Sequence, residues 1–246
     1  MEYLSVGHVG LLRRILLDWH KPLQCLNVKK LNVIDLGTCS YGIVWDIQKS
    51  LHTKRVSNKI PDTLILVEHP HVYTLGKNAN ARHLIATQDY LKSREIEIFK
   101  VDRGGDITYH GPGQLVGYPI FNLKDHKESI SWYVHSVEEV LIQMLADYGI
   151  KSGRVKGMTG VWVGDKKIAA IGMRVSRWVT MHGFALNVFT DLSLYDGIIP
   201  CGIVSRDITR MVDLNPEVKW DGVKSEVVNK FVEVFGFSKP PIHDIT

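Results

Sequence analysis

The sequence predicts a single α/β domain in which a mixed β-sheet is flanked by helices. Its 246 residues are 45% hydrophobic and 23% charged, which is typical of a globular chain with a core that needs no disulfides. Strand-like segments outnumber helical ones, and several follow each other directly in hairpin-like order. Since a regular alternation of strand and helix is missing, the pattern favours a mixed sheet over a wholly parallel one.

The N-terminal half supplies strands and one amphipathic helix. Leu31–Leu36 alternates and predicts a strand, and Ser40 can cap a helix whose apolar face includes Val44 and Leu51. Thr63–Val67 is continuously apolar, as expected for a strand that is buried on both faces. Two further strands are predicted at residues 72–75 and 96–101.

The C-terminal half begins with the most regular helical pattern of the chain. Apolar residues recur at helical spacing from Ser129 to Tyr148, and Gly149 provides a stop. Three strands in succession and a last helix are predicted at residues 160–163, 167–175, 179–188 and 223–235. Gly164-Asp165 between the first two of these strands is a hairpin signal.

No repeat or low-complexity linker divides the chain, so we expect a loose segment at residues 1–30 and one domain at 31–246. Leu11–Leu17 is basic and apolar, which fits a short helix or an extended start. A mitochondrial transit peptide is the alternative, although the segment is poor in serine and carries Glu2. No apolar run is long enough to cross a membrane. A cytoplasmic protein is therefore expected.

Charge and cysteine content exclude several classes of protein. The net charge is +4 and no five like charges occur in a row, so a nucleic-acid-binding arm is not indicated. The chain has three cysteines, Cys25, Cys39 and Cys201, and no pair has Cys-x-x-Cys spacing. The odd number argues against a set of disulfides, and the spacing argues against structural zinc. A reducing compartment fits this cysteine content best. The histidines also match no tight zinc pattern, so they favour hydrogen bonding or acid–base assistance; the ones considered are His69, His71, His110 and His182.

The most unusual segment is Arg103–Gln114, which holds four glycines among closely spaced hydrogen-bonding side chains. Glycine allows a backbone to approach a ligand closely or to adopt positive φ. A pair of tight turns between strands is the alternative interpretation. Neither a phosphate-binding loop nor a dinucleotide fingerprint is present, which argues against ATP or NAD as a cofactor.

Two other segments carry reactive side chains. Lys167 precedes the small and apolar run Ile168–Gly172, which is consistent with an ammonium at a desolvated edge; a surface lysine at the start of a strand is the alternative. Cys201 lies between Pro200 and Gly202, which predicts a loop. A nearby cation would stabilise its thiolate, the nucleophilic form.

Taken together, these segments resemble the octanoyltransferase family of lipoate biosynthesis, over roughly residues 31–210. The resemblance is carried by five ordered motifs: residues 68–76, 103–114, 167–172, 182–188 and 200–203. It implies the catalytic-domain fold of biotin and lipoyl protein ligases. Where many relatives have Gln after Arg-Gly-Gly, this chain has Asp106.

The resemblance implies roles for individual residues. Cys201 would accept the acyl group as a thioester, and Lys167, rather than the adjacent Lys166, would favour its thiolate. The acyl-binding positions would be Arg103, Gly104, Gly105, Asp106, Ile107, Thr108, Tyr109 and His110, then Ala170, Ile171 and Gly172, then Gly183, Phe184 and Ala185. The small residues Gly172, Gly183 and Ala185 would define an apolar slot. No metal or other cofactor is implied.

The implied reaction moves an octanoyl group from acyl carrier protein to a specific lysine of a lipoyl domain. The implied acceptors are the lipoyl domains of 2-oxoacid dehydrogenase complexes and the glycine cleavage H protein, with no nucleic acid or membrane as partner. We expect a monomer. Two alternatives stay open: an ATP-dependent lipoate or biotin ligase, and a non-catalytic module that binds acyl carrier protein.

Overall fold

The computed structural model describes residues 29–199 and 208–238. Ten strands lie in these ranges: β1 (Leu31–Thr38), β2 (Asp62–Glu68), β3 (Val72–Leu75), β4 (Glu97–Lys100), β5 (Ile107–His110), β6 (Gln114–Ile120), β7 (Gly153–Val155), β8 (Met158–Val163), β9 (Lys166–Ser176) and β10 (Val179–Asn187). The α-helices described are α1 (Tyr41–Val56), α2 (Gln88–Ser93), α3 (Ile130–Asp147), α4 (Met211–Leu214) and α5 (Trp220–Phe235). Short 3₁₀ turns occupy Ala81–His83, Leu123–Asp125 and Leu192–Gly197.

The strands form two sheets. The larger one has the order β1-β2-β6-β10-β9-β8-β7, in which β1 and β2 are parallel and every other neighbouring pair is antiparallel. The smaller one has the order β4-β3-β5 and also mixes parallel and antiparallel pairing. The predicted mixed sheet flanked by helices is thus confirmed.

Apolar residues cover both faces of the larger sheet. Leu64 and Leu66 of β2 pack into a core shared with α3 and α5, whereas Ile65 and Val67 pack into a second core shared with α1. This alternation explains why the strand is apolar at every position. A third cluster joins the smaller sheet to the turn at Leu192–Gly197.

Strand β6 lies at the centre of the larger sheet and was not predicted. Gly117 and Pro119 interrupt its pattern, and proline rarely occupies a central strand. Here the Thr180 hydroxyl donates to the Pro119 carbonyl oxygen (2.7 Å) and accepts from the Phe121 backbone N–H (2.9 Å). A side chain of β10 therefore ties β10 to β6 on both sides of Ile120, directly after the proline.

The predicted helix and strand positions agree with the observed bounds to within a few residues. Ser40 does lie at the N-cap of α1, but its side chain makes no capping hydrogen bond. Ser129 caps α3 as expected, since its hydroxyl accepts from the Trp132 backbone N–H (3.2 Å). In the described part of the chain, every helix is too short or too polar to span a bilayer. The predicted division at residue 31 stays a prediction.

Gly117 gives the first test of this packing. A Cβ at this position would lie 2.2 Å from Cε1 and Cζ of the Phe184 ring. Gly117→Ala should therefore lower the free energy of unfolding by about 1–3 kcal/mol, the usual cost of overpacking a core. Gly153→Ala is the matched control, because a Cβ there meets nothing within 4 Å. Urea denaturation measures both, and equal stabilities of the two variants would contradict the assigned packing.

Candidate active site

A cavity of about 570 Å³ opens between β9, β10, β5 and the loop that precedes β5. All the predicted acyl-binding residues except Tyr109 line it: Arg103, Gly104, Gly105, Asp106, Ile107, Thr108, His110, Ala170, Ile171, Gly172, Gly183, Phe184 and Ala185. Three separate sequence motifs therefore meet at one cavity. Lys167 and His182 also line it, and other lining residues were not singled out as site candidates from the sequence, among them Tyr41, Tyr118, Val134 and Met158.

Tyr109 is fully buried and belongs to the third apolar cluster instead. Its ring packs edge-on against Tyr195, with centroids 5.3 Å apart, and its hydroxyl lies 2.8 Å from Nδ1 of His71. These contacts support the wall formed by β5 from behind.

The loop before β5 is held from both sides. The Arg103 guanidinium donates to the Thr74 carbonyl oxygen (2.6 Å) and hydroxyl (3.0 Å) of β3, and the Gly104 N–H donates to the Met173 carbonyl oxygen (2.7 Å) of β9. Gly76 must be glycine here, because a Cβ would lie 2.4 Å from the Gly105 carbonyl oxygen. The glycines of this segment thus allow backbone to pack on backbone.

The small residues of β9 and β10 serve the same close packing. A Cβ at Gly172 would lie 3.1 Å from the Gly104 carbonyl oxygen, and one at Gly183 would lie 2.2 Å from the Gly117 carbonyl oxygen. Any side chain at Gly183 would therefore push β10 away from β6. The cavity keeps its width because its walls carry little side-chain bulk.

Two histidines, His110 in the cavity lining and His69 behind it, are buried and uncharged at neutral pH. Burial lowers the pKa of His69 to about 4 and that of His110 to about 3. His69 lies between the Cys39 carbonyl oxygen (2.7 Å) and the Tyr118 hydroxyl (2.8 Å), while His110 lies 2.8 Å from Oε1 of Gln114. Both rings are thus held by hydrogen bonds, and the described residues contain no cluster of three or more potential metal ligands.

His182 occupies an unusual backbone position on β10. Its φ of 57° is left-handed, and its backbone N–H donates to Oε1 of Gln48 (2.9 Å) on α1. Nε2 lies 2.8 Å from Oδ1 of Asp102, which also pairs with Arg174 (2.7 Å). Burial lowers the pKa of the His182 ring. An Asp–His pair therefore lies at the cavity wall, and its histidine has a backbone conformation that non-glycine residues rarely adopt.

Lys167 lines the cavity, whereas the adjacent Lys166 is exposed. The ammonium nitrogen of Lys167 lies 4.8 Å from the centroid of the Trp162 ring on β8, within the range of a cation–π contact. The Lys167 stem passes over Gly160, where a Cβ would lie 3.5 Å from Cε of the lysine. Lys167 is thus the one of the two lysines that lines the cavity, and its catalytic role stays a prediction.

Cys201 lies outside the described residues, but the chain on either side of it is described. The Ile199 N–H donates to the His83 carbonyl oxygen (2.8 Å), and the Thr209 N–H donates to the Lys167 carbonyl oxygen (3.0 Å). Ile208 also forms a bridge with Lys167. The chain before Cys201 is thus bound to His83, beside the cavity, and the chain after it is bound to Lys167 in the cavity lining.

Acid sensitivity tests the neutral state of His69. The ordinary pKa of histidine is about 6.5, so between about pH 6.5 and pH 4 the unfolded chain binds a proton that folded His69 does not. The contribution of neutral His69 to the free energy of unfolding is therefore complete above about pH 6.5 and is lost as the pH falls from there to about 4. Urea unfolding at about pH 7 and about pH 4.5 should show that His69→Gln removes about 2 kcal/mol of the acid-induced loss. An unchanged pH dependence would contradict a neutral His69.

Comparisons with known proteins agree with this geometry. Residues 40–232 match the family described as lipoyl protein ligase A/B catalytic domain. The chain is 47% identical to the octanoyltransferase of Solibacter usitatus over 84% of this chain and 93% of that protein. It is 45% identical to the octanoyltransferase of Gloeobacter violaceus, over 85% and 92% of the two chains.

Solved structures share the fold at low sequence identity. A putative lipoate protein ligase from T. acidophilum with bound lipoic acid superposes with a TM-score of 0.67 at 16% identity, covering 87% of this chain and 90% of that one. LipL1 of P. falciparum in complex with lipoate gives a TM-score of 0.70 at 14% identity, covering 87% and 65%. The sequence relatives show which family this is. The chain belongs to the octanoyltransferases and is an acyltransferase with the lipoyl protein ligase A/B catalytic domain.

Proposed function

We propose that this chain transfers an octanoyl group from the thioester of acyl carrier protein to a lysine of a lipoyl domain, through a thioester on Cys201. The observation that carries the proposal is that the chain before Cys201 is bound to His83, next to the cavity residue Asp106, and the chain after it is bound to Lys167 in the cavity lining. Cys201 follows Ile199 by two residues, a stretch of chain that spans at most about 7 Å.

The cavity walls suit an unbranched apolar chain. Ile107, Ile171 and Phe184 supply apolar surface, and Gly172 and Gly183 add no side-chain bulk to the walls. The neutral His110 in the lining and His69 behind it place no charge there. Because each buried methylene contributes about 0.8 kcal/mol, a slot of fixed depth discriminates between acyl chains of different length.

The first half-reaction makes the acyl-enzyme. Lys167 takes the proton of the Cys201 thiol, and the resulting thiolate attacks the thioester carbonyl carbon. A carbon–sulfur bond to Cys201 forms as the bond to the carrier sulfur breaks. The departing thiolate takes the proton from Lys167, which leaves free carrier thiol and an uncharged lysine.

The second half-reaction regenerates the enzyme. The acceptor amine attacks the acyl-enzyme carbonyl, the carbon–nitrogen bond forms, and the bond to Cys201 breaks. The proton lost by the amine returns to Lys167, so the thiolate–ammonium pair is restored. A thioester is exchanged for a more stable amide, and no nucleotide is needed.

The partners follow from the same reaction. The donor is octanoyl-acyl carrier protein, and the acceptors are the lipoyl domains of 2-oxoacid dehydrogenase complexes and the glycine cleavage H protein. The net charge of +4 favours encounter with an acidic donor protein. A cytoplasmic location and a monomeric state stay predictions.

Intact mass spectrometry tests the covalent step. Incubation with octanoyl-acyl carrier protein, without ATP, should add one octanoyl group to the wild-type chain, and peptide mapping should place it on Cys201. Cys201→Ala should form no adduct and transfer no octanoyl group to a lipoyl domain. Cys39→Ser is the matched control, because Cys39 is buried away from the cavity lining. Transfer by Cys201→Ala, or a requirement for ATP, would contradict the mechanism.

Removing the ammonium tests the role of Lys167. Lys167→Met keeps the stem over Gly160 but lacks the charge and the proton acceptor, so single-turnover acylation at neutral pH should fall by about 100-fold or more. Lys166→Met is the matched control one residue away, with an exposed side chain, and should acylate at close to the wild-type rate. Equal rates for the two variants would contradict the assignment.

A further inference from the structure

The carboxylate of Asp106 is fully engaged by the protein itself. Oδ1 accepts from the backbone N–H groups of Ile107 (2.8 Å) and Asn80 (3.2 Å), and Oδ2 is hydrogen-bonded to Nδ1 of His83. The Asp106 side chain is only 12% exposed. Although Asp106 lines the cavity, both oxygens therefore point at protein partners and not at an acyl chain.

His83 connects this carboxylate to the chain that precedes Cys201. Its carbonyl oxygen accepts from the Ile199 N–H, and the neighbouring Leu84 forms an antiparallel bridge with Ile198. The N–H groups of Ile85 and Ala86 both donate to the Gly197 carbonyl oxygen, at 3.1 and 2.9 Å. Residues 83–86 thus hold residues 197–199 through several backbone contacts.

Gly197 allows the segment 197–199 to lie close to β3. A Cβ at Gly197 would lie 2.2 Å from the hydroxyl of Tyr73, which donates to the Leu194 carbonyl oxygen (2.6 Å). The segment therefore sits tightly on β3, the strand that also accepts the Arg103 guanidinium through Thr74. The cavity loop and the chain before Cys201 share one support.

We propose that Asp106 and His83 are positioning residues for Cys201: their side-chain hydrogen bond couples the loop that lines the acyl cavity to the chain that carries the nucleophile. The proposal rests on the function proposed above. The sequence resemblance implied an acyl-binding role for residue 106, and its contacts give it this different one.

Nucleophilic attack is sensitive to such coupling. The attacking sulfur must reach the carbonyl carbon at about 3–3.5 Å, and a shift of about 1 Å costs on the order of a hundredfold in rate. In the proposed function the loop of Asp106 contacts the acyl chain and the segment after Ile199 carries the thiol, so attack needs the loop and the chain at Ile199 to be fixed to each other. The Asp106–His83 bond makes that connection directly through side chains.

Two substitutions of His83 separate this role from a general effect on folding. In His83→Asn the amide nitrogen occupies the place of Nδ1 and can donate to Asp106, whereas in His83→Gln the amide nitrogen lies nearer the place of Nε2. Single-turnover acylation of Cys201 from octanoyl-acyl carrier protein should stay within about threefold of wild type in His83→Asn. It should fall at least about tenfold in His83→Gln and in Asp106→Ala.

The shape of the kinetic change is the second readout. The maximal acylation rate should fall while the donor concentration at half-saturation stays unchanged, because the remaining cavity walls are intact. The double variant Asp106→Ala/His83→Gln should be no slower than the slower single variant, since both remove the same bond. Thermal midpoints of His83→Asn and His83→Gln check that the two fold equally well.

Equal acylation rates for His83→Asn and His83→Gln, or multiplied losses in the double variant, would overturn the positioning role. In that case wild-type acylation of Cys201 would leave the proposed function standing. If the wild-type chain forms no adduct on Cys201, the proposed function fails and the positioning role fails with it.

Discussion

Two backbone hydrogen bonds, one on each side of Cys201, are the constraint on which the proposed site depends. The Ile199 N–H is bound to the His83 carbonyl oxygen, and the Thr209 N–H is bound to the carbonyl oxygen of Lys167 itself. The second bond attaches the returning chain to the residue that would exchange protons with the thiol. Backbone atoms form both links, so surface side-chain changes leave them in place.

The cavity between these attachments exists because strands approach closely without side chains. Gly117 faces an aromatic ring and Gly183 a backbone carbonyl oxygen at distances that exclude a Cβ, and a Cβ at Gly172 would be crowded by the Gly104 carbonyl oxygen. The cores on the two faces of the larger sheet keep these strands together. Buried and hydrogen-bonded histidines then support the wall without placing a charge beside an acyl chain.

The sequence predicted what depends on local pattern. The alternation in Leu31–Leu36, the apolar run Thr63–Val67 and the helical spacing after Ser129 each reflect which faces are buried, and the structure confirms these elements. Unusual glycine and polar composition marked the segment Arg103–Gln114, whereas residues 170–172 and 183–185 were identified only through the resemblance to the octanoyltransferase family; the acyl-binding residues predicted in both sets line the cavity, except Tyr109.

What the sequence did not predict depends on contacts between distant segments. Strand β6 was missed because Gly117 and Pro119 interrupt its pattern, and no local pattern reports the Thr180 hydroxyl of β10 that bonds the chain at Pro119 and Phe121. Tyr41 and Tyr118 reach the cavity from two other elements, and Tyr109 turns away from it into a neighbouring aromatic cluster. The partner of Asp106 is 23 residues away in the chain.

The most direct test of the account is the pH dependence of Cys201 alkylation in the wild-type chain, followed by peptide mass mapping. If Cys201 and Lys167 share one site, the alkylation rate should reach half its maximum at least about one pH unit below the ordinary thiol pKa of about 8.5. The midpoint should return towards that value in Lys167→Met. A midpoint at or above about 8.5 in the wild-type chain, unchanged by Lys167→Met, would contradict the thiolate–ammonium pair.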